Sequence, residues 1–232
     1  MEIKQKIYDL VSRFGIKTLV FLFPEYFAQD HIAPSDRYIE YPFVIRNLPR
    51  PPAKILDCGC AGSFFPLILS SFGYDTYAVD IRKYSILNRL EYQNFHFLRE
   101  SICRTSFPPD YFDAISAIST LEHIGLSGRY GIKEDAAGDE KAMQEIKRIV
   151  KPEGSILITI PFGRAKILRP FSRIYDSNWV KKITKGLVIE IKEFYMQDKN
   201  EDWLKCTEEE AAVFEATISK YALCLLKLTK EE

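Results

Sequence analysis

Strand-sized and helix-sized apolar segments alternate along residues 53–163, and this alternation constrains the fold more than any other feature of the sequence. "AKILDC" and "YDTYAVD" have the length of strands, and "SFFPLILSSFG" between them has the length of a helix. "NFHFLR", "FDAISAIS" and "GSILITIP" predict three further strands, and the helical spacing of the apolar residues in "GDEKAMQEIKRIV" predicts a second helix. Repeated strand, helix and strand units predict an α/β fold with a parallel sheet.

The flanking regions complete the predicted domain organisation. Residues 1–52 predict an N-terminal helical extension and a linker, because the prolines of "LPRPP" cannot continue a helix. Residues 53–232 predict one structural unit, whose tail holds a helix near "SNWVKKITK" and strands in "LVIEIKEFYM" and "YALCLLKLT". The expected architecture is a doubly wound, mostly parallel seven-stranded sheet flanked by helices. A ligand is expected outside the carboxyl ends of its central strands.

Composition restricts the partners of this fold. The chain is 47% hydrophobic and 28% charged, as globular proteins are, and its 32 basic and 32 acidic residues create no global field for nucleic acid or an anionic membrane. Residues 164–192 are a local exception, because eight basic residues there accompany two acidic ones. That stretch is the only sequence support for a nucleic-acid partner, which is therefore not favoured.

The five cysteines are odd in number and scattered, which indicates a reducing compartment and a cytoplasmic protein. Cys58 and Cys60 offer only two ligands to a metal, and two ligands do not close a tetrahedral zinc shell. We therefore predict no metal site. The N-terminal run "IKTLVFLFP" covers about half of a bilayer and predicts a packed helix in preference to attachment at a membrane surface.

The turn "ILDCGCAGS" has the small residues that a ligand-binding turn between a strand and a helix requires. Backbone N–H groups and the positive end of the following helix would meet ligand oxygens there. A dehydrogenase turn would need glycines at positions 59, 61 and 64, but Ala61 and Phe64 stand at the last two, which disfavours NAD. Asp80 ends the second strand and could accept hydrogen bonds from ribose hydroxyls, or could instead cap its own turn.

Four segments resemble, in order and spacing, the class I S-adenosylmethionine-dependent methyltransferases over residues 55–163. They are "ILDCGCAGS", "YAVDIRKY", "FPPDYFDAISAISTLEHIG" and "AMQEIKRIVKPEGSILITIPFG". The resemblance implies a Rossmann-like methyltransferase fold, S-adenosyl-L-methionine as cofactor and S-adenosyl-L-homocysteine as product. It implies that the first turn wraps the methionine part, that the acid after the second strand holds the ribose, and that residues after the third strand bracket adenine. The implied cofactor-binding residues are Asp57, Gly59, Cys60, Ala61, Gly62, Asp80, Ile81, Ser101, Ile102, Ile118 and Ser119.

Two positions depart from the family pattern. Ser63 replaces the usual last glycine of the turn, and Ser101 stands where an acid commonly accepts a hydrogen bond from the adenine amino group. A serine accepts that bond without charge assistance, so we expect a loss of about 1 kcal/mol and a working cofactor site.

Candidate catalytic residues follow the fourth strand. His123 in "STLEHIG" could act as a general base, which a hydroxyl or protonated amine acceptor would need, or could only pack. Arg129 and Tyr130 in "GLSGRYG" could contact an acceptor or lie in a surface loop. "RYIEYPF", residues 37–43, could lie across the cofactor or pack in the core.

The leading hypothesis is an enzyme that transfers a methyl group by in-line displacement to a small molecule or to a polar acceptor such as a sugar or lipid precursor. The runner-up, an RNA or protein methyltransferase, is supported only by residues 164–192. Two further hypotheses are a non-catalytic S-adenosylmethionine-binding module and an NAD oxidoreductase.

Overall fold

The computed structural model describes residues 35–60, 62–84, 86–89, 94–127, 130, 132–217 and 220–230, together with nine separate residues between 3 and 22. The chain divides into two compact units, residues 1–35 and residues 36–232. The nine described residues of the first unit before residue 35 are helical. Most of the run "IKTLVFLFP" lies outside the described residues, so its predicted packing stays a prediction.

The second unit is built on a sheet of eight strands. In chain order these strands are β1 (Lys54–Cys58), β2 (Asp75–Val79), β3 (Phe95–Leu98), β4 (Phe112–Ile118), β5 (Val150–Phe162), β8 (Leu187–Gln197), β9 (Trp203–Cys206) and β10 (Ala222–Lys230). The order across the sheet is β3-β2-β1-β4-β5-β10-β8-β9, in which the first five strands run parallel and the last three pair antiparallel.

Five helices and a small hairpin accompany the sheet in the described part of this unit. The hairpin pairs β6 (Lys166–Leu168) with β7 (Ser172–Ile174) and lies between β5 and the next helix. Short 3-10 turns cover Leu87–Arg89 and Leu121–His123. The helices are α1 (Arg37–Asn47), α2 (Phe65–Ser71), α3 (Gly138–Ile149), α4 (Ser177–Ile183) and α5 (Glu208–Ala212).

Both faces of the sheet are buried. Neighbouring residues of one strand point to opposite sides, and consecutive residues of β1 belong to two different core clusters. On one face, Leu56 of β1 belongs to a core cluster that includes Ile146 of α3. On the other face, Ile55 belongs to a second cluster with Phe43 of α1 and Phe65 of α2. Helices on both faces of a mostly parallel sheet make the fold doubly wound, and the predicted fold class is confirmed.

The structure corrects several details of the sequence prediction. The sheet has eight strands where seven were expected. The additional strand, β9, lies in the polar stretch that follows β8 and pairs with β8 at the edge of the sheet. The hairpin of β6 and β7 was not anticipated. Helix α2 begins at Phe65, and its N-cap residue is Phe64.

Helix α1 belongs to the second compact unit, although the sequence placed the boundary at residue 52. The reason is packing, since Phe43 and Val44 are completely buried with core residues of the sheet. The segment "RYIEYPF" therefore forms part of a helix that packs in the core. Tyr41 of the same segment also reaches the turn after β1.

Candidate functional site

A cavity of about 660 Å³ lies at the carboxyl ends of β1, β2, β3 and β4. The strand order reverses between β1 and β4 at this edge, which is where doubly wound sheets bind ligands. Helix α1 adds Arg37 and Tyr41 to the cavity wall. The predicted site residues that line the cavity are Asp57, Gly59, Gly62, Asp80, Ile81, Ser101, Ile102, Ile118, Ser119, His123 and Tyr130.

Among the described residues, one predicted site residue, Cys60, is not part of this wall. Cys60 is buried in a small cluster with Ala78 and Leu87, so its side chain packs in the core beneath the turn. Its expected cofactor contact is therefore not made by an exposed side chain. Ala61 and Arg129 lie outside the described residues.

The turn after β1 needs glycine for two physical reasons at Gly59. Its φ of +76° is a left-handed conformation that side chains disfavour, and an added Cβ would lie 2.4 Å from Thr120 Oγ1. Gly62 also has a positive φ of +82°. The turn is therefore shaped to present backbone to the cavity.

Ser63 replaces the expected last glycine and has a defined structural role. Its Oγ accepts a hydrogen bond from the backbone N–H of Phe65 at 3.0 Å and lies 2.9 Å from Tyr41 Oη. The rings of Tyr41 and Phe65 also stack, with centroids 4.5 Å apart. Ser63 thus fastens helix α1 to the turn that follows β1.

Asp80 is buried at the cavity and caps its own turn, which is one of the two roles that the sequence left open, while its role towards ribose hydroxyls stays a prediction. It accepts from the backbone N–H of Arg82 at 2.8 Å, which caps its own turn. Arg82 Nε and Nη2 also donate to the two carboxylate oxygens, each at 3.1 Å. The Arg82 guanidinium in turn lies 4.8 Å from the ring centroid of Tyr130. The sequence did not indicate this arginine, which competes with any ribose hydroxyl for Asp80.

Asp57 provides a second buried carboxyl group at the end of β1. Ser116 Oγ donates a hydrogen bond to it at 2.7 Å. Burial nevertheless raises the pKa of Asp57 to about 7, because desolvation disfavours the charged form. A cationic group in the cavity would reverse that effect, so the residue is suited to a positively charged ligand.

Apolar and polar groups alternate around the region expected to hold adenine. Ile81, Ile102 and Ile118 line the cavity, and Ser101 presents a hydroxyl that accepts weakly from the backbone N–H of Cys103 at 3.3 Å. The neighbouring Glu100 also lines the cavity, although its carboxylate accepts hydrogen bonds from a serine outside the predicted set. A flat aromatic ligand would meet isoleucine walls and one neutral hydroxyl there.

His123 lies on the cavity wall and is held by the β6–β7 hairpin. Its Nδ1 is 2.6 Å from the backbone carbonyl oxygen of Phe171, so Nδ1 carries the proton of this hydrogen bond. Nε2 is 3.7 Å from Glu122 Oε1, and the ring meets Tyr130 edge to face at 5.8 Å. Neutral His123 therefore has its proton on the nitrogen bound to the hairpin.

A buried polar network fixes the segment that carries His123. Arg173 of β7 is almost fully buried and donates to the carbonyl oxygen of Ile124 at 2.5 Å, while its Nε is 3.9 Å from Asp139 Oδ2. The same Asp139 oxygen accepts from Tyr175 Oη and Trp179 Nε1. The sequence identified Arg173 only as one of the eight basic residues of the stretch 164–192.

Glu122 is buried beside this segment. Its Oε2 has no hydrogen-bond partner, and burial raises its pKa to about 8 because desolvation disfavours the charged form. The group is therefore mostly protonated at neutral pH. The sequence suggested a solvated or backbone-bonding acid, and burial of its side chain corrects the first of these interpretations.

The basic stretch 164–192 is largely neutralised by acids from elsewhere in the chain. Five of its eight cations form ion pairs, and a sixth, Arg173, is buried. The pairs are Arg164 and Lys166 with Glu215, Arg169 with Glu134, Lys182 with Glu140, and Lys192 with Glu208. The cations of this stretch therefore act mainly within the domain.

Within the ranges that the structure describes, no group of three or more His, Cys, Asp or Glu side chains is placed to hold a metal ion. No helix among those residues is long and apolar enough to cross a membrane.

Residues 56–158 match a protein family described as a methyltransferase domain. The chain is also similar to the ubiquinone/menaquinone biosynthesis C-methyltransferase UbiE of Vibrio parahaemolyticus, at 27% identity over 84 residues. That match covers 36% of this chain and only 27% of the relative. It therefore concerns a segment and not the whole of the relative.

Solved structures with low sequence identity share the fold. The N-methyltransferase NodS from Bradyrhizobium japonicum, solved with S-adenosyl-L-homocysteine, has a TM-score of 0.60 at 15% identity and covers 87% of this chain and 90% of its own. The [4+2]-cyclase SpnF has the same TM-score and identity, with 83% and 80% coverage. These likenesses confirm the predicted Rossmann-like fold class. The match of residues 56–158 to a methyltransferase domain agrees with the predicted family over that segment.

Proposed function

We propose that this chain, a member of the class I S-adenosylmethionine-dependent methyltransferases, transfers a methyl group to a small-molecule or other polar acceptor by in-line displacement. The observation that carries the proposal is the cavity at the carboxyl ends of β1 to β4. It collects the cofactor residues predicted from four strand ends and joins them to His123 and Tyr130. A cofactor and an acceptor would thus share one cavity.

The residues present fit the cofactor. Gly59 and Gly62 shape a turn open to a ligand, Asp80 offers carboxylate oxygens for ribose hydroxyls, and the isoleucine walls suit adenine. Ser101 would accept from the adenine amino group. The cofactor supplies a methyl group on a positively charged sulfur that a nucleophile can displace.

The protein's own contribution is position and electrostatics. Alignment of a nucleophile with the methyl carbon and exclusion of competing water can supply much of the acceleration of such a displacement. Of the buried carboxyl groups in this region, Glu40 pairs with Arg37 and Asp80 pairs with Arg82, whereas Asp57 has a raised pKa of about 7. A positively charged sulfur near Asp57 would favour the ionised carboxylate, and the neutral sulfur of the product would not.

A small acceptor is supported by the enclosure of the cavity. Helix α1 closes one side of it, and the segment after β4, held by Arg173, closes another. The neutralised basic stretch offers little support for a polyanionic partner such as RNA, because its charges already have acidic partners. NodS is named as an N-methyltransferase, and UbiE as a C-methyltransferase of quinone biosynthesis. A metabolite-sized acceptor in this chain would agree with both.

A different reaction on the same fold is the second candidate. SpnF resembles the chain as closely as NodS does, yet it is named as a cyclase. Fold therefore does not decide the reaction, and neither does cofactor binding alone. A non-catalytic binding module would likewise keep the fold and the cofactor without methyl transfer.

Methyl-labelled S-adenosylmethionine incubated with a metabolite extract tests the proposal. We expect label in a small-molecule fraction together with stoichiometric S-adenosylhomocysteine, and calorimetry should detect S-adenosylhomocysteine but not NADH. Binding of S-adenosylhomocysteine without any labelled product would favour a binding module or a cyclase. Label that appears only in RNA or protein would favour a macromolecular substrate.

The role of His123 is tested in the same assay. If His123 acts as a general base, we expect His123→Ala to lower the rate of methyl transfer by about 10²–10⁴ and to leave the affinity for S-adenosylhomocysteine nearly unchanged. Because Nδ1 already binds the Phe171 carbonyl, His123→Asn can keep one hydrogen bond without acting as a base. Recovery of most of the rate in His123→Asn would assign the residue to ordering of the loop.

A further inference from the structure

Ser119 has an unusual backbone conformation at the wall of the cavity. It follows β4 with a φ of +44°, a left-handed conformation that is strained for a residue other than glycine. Two hydrogen bonds from its N–H, to the carbonyl oxygen and to Oγ1 of Thr159, hold it there, each at 3.0 Å. Strain of this kind persists where the surroundings fix it, and it is common at functional sites.

The Ser119 hydroxyl connects the cavity to a buried carboxylate. Ser119 Oγ donates to Glu40 Oε1 at 2.6 Å, and Glu40 lies in helix α1 with no solvent exposure. Thr159 Oγ1 donates to the same oxygen, also at 2.6 Å, and Arg37 pairs with the other oxygen. Ser119 lines the cavity, whereas Glu40 and Thr159 do not belong to its wall. One hydroxyl therefore stands between the cavity and the carboxylate.

The surroundings of Glu40 leave it able to take a proton. Burial raises its pKa, and Arg37 opposes that effect while Asp36 adds to it. From the neighbouring elements, Glu122 after β4 and Tyr221 before β10 are titratable groups near enough for the charge of Glu40 to raise the pKa of each. A carboxylate that is paired, but surrounded by other acids, is a better proton acceptor than an exposed glutamate.

We propose that Ser119 and Glu40 form a proton relay that serves a neutral hydroxyl acceptor, an inference that rests on the proposed methyl transfer. Ser119 Oγ takes the proton of the acceptor hydroxyl while its own proton passes to Glu40 Oε1. The acceptor oxygen forms a bond to the methyl carbon, and the bond from that carbon to sulfur breaks with its electron pair left on sulfur. Glu40 later returns the proton to solvent. Ser119 is the catalytic residue, and Glu40 acts through it.

The relay itself favours this class of acceptor. A carboxylate or thiolate acceptor arrives already ionised and needs no base. A neutral alcohol or phenol has a proton to lose, and the hydrogen-bonded pair of Ser119 and Glu40 offers an acceptor for it. The relay therefore points to a hydroxyl acceptor.

Ser119→Ala and Thr159→Val make a matched pair for the test. Each removes one hydroxyl bound at 2.6 Å to the same Glu40 oxygen, but only Ser119 lines the cavity. Thr159→Val also removes one acceptor of the Ser119 N–H, which keeps its hydrogen bond to the Thr159 carbonyl oxygen. The probe is methyl-labelled S-adenosylmethionine with two acceptor sets, alcohols and phenols in one, thiols and carboxylates in the other. We expect transfer to the first set, a fall of about 10²–10³ in kcat for Ser119→Ala, and a fall below tenfold for Thr159→Val.

Two further readouts separate a relay from a structural role. Because Ser119 is also an implied cofactor-binding residue, the fall in kcat of Ser119→Ala should clearly exceed any loss of its affinity for S-adenosylhomocysteine, and the rise of kcat with pH should flatten. Infrared titration of the Glu40 carboxyl, assigned with Glu40→Gln, should give a pKa above the ordinary value of about 4.3. Ser119→Ala and Glu40→Gln combined should be no slower than either alone.

The outcomes distinguish failure of the proposed relay from failure of the proposed methyl transfer on which it rests. An unmodified protein that transfers label to no acceptor sinks the methyl transfer and the relay with it. Active protein in which Ser119→Ala and Thr159→Val lose equally little rate refutes the relay alone. A Glu40 pKa below about 3, or a loss of S-adenosylhomocysteine binding in Ser119→Ala that matches its loss of rate, would also refute it.

Discussion

Removal of the Asp80 carboxylate should weaken cofactor binding, but by less than two hydrogen bonds suggest. Two ribose hydroxyls donating to a carboxylate would make charge-assisted bonds of about 1.5–3 kcal/mol each. In this structure the same oxygens accept from Arg82. Each hydrogen bond from a ribose hydroxyl would therefore replace an Arg82 hydrogen bond or share its Asp80 oxygen with Arg82.

The cost of displacing Arg82 is small enough to leave a net gain. Its side chain is 37% exposed, so its guanidinium can return to water, and pairs of this kind contribute about 0–1 kcal/mol. Bonds to one carboxylate are not additive either. We expect Asp80→Ala to cost about 1.4–2.8 kcal/mol of binding free energy, which is about tenfold to a hundredfold in Kd.

Isothermal titration with S-adenosylhomocysteine measures this change, with circular dichroism and thermal melting to establish that the variant is folded. Arg82→Gln is the control, since it removes the competing guanidinium and keeps Asp80. Its Kd should change by less than about threefold. An unchanged Kd in folded Asp80→Ala would remove Asp80 from the cofactor site, and a tenfold loss in Arg82→Gln would show that Arg82 supports binding instead of competing.

Three predictions concern stability. Gly59→Ala should lower the free energy of unfolding by at least about 1 kcal/mol more than Gly62→Ala, because only the first Cβ meets a neighbour at 2.4 Å; equal urea midpoints would contradict this. Asp57→Asn should raise the melting temperature more at pH 8 than at pH 5, because the raised pKa of about 7 costs the native protein stability as pH rises; a pH-independent difference would refute it. Arg148 lowers the pKa of Glu145 to about 2, so Glu145→Gln should cost about 1–2 kcal/mol at pH 6 and progressively less below pH 4, measured by urea unfolding.

The cofactor half of the site was largely predictable from the sequence. Gly59, Asp80 and Ser101 each follow a strand of one continuous run of strand and helix units, and parallel strands bring their carboxyl ends to one edge. The position of each of these residues just after its strand was therefore enough to predict that it lies at the carboxyl edge of the sheet. Cys60 failed this rule, because successive residues of a turn point in different directions and its side chain turned into the core.

Residues whose roles depend on distant contacts could not be found in this way. Arg173 and Glu40 are a cation and an acid in locally polar segments, and the usual expectation for both is a solvated side chain. Both are buried because partners far along the chain satisfy them: Ile124 and Asp139 for Arg173, and Ser119 for Glu40. No local pattern carries that information.

The two sides of the cavity are built from different parts of the fold. The cofactor residues come mainly from consecutive strand ends, whereas the far side of the cavity is assembled from helix α1, the segment after β4 and the β6–β7 hairpin. Helix α1 contacts the segment after β4 through Glu40 and Ser119, and the hairpin contacts that segment through Phe171 with His123 and Arg173 with Ile124. Changes in α1 or in the hairpin can therefore alter the acceptor side while the strand ends, and with them cofactor binding, stay as they are. A fold shared by methyltransferases and a cyclase is consistent with that arrangement.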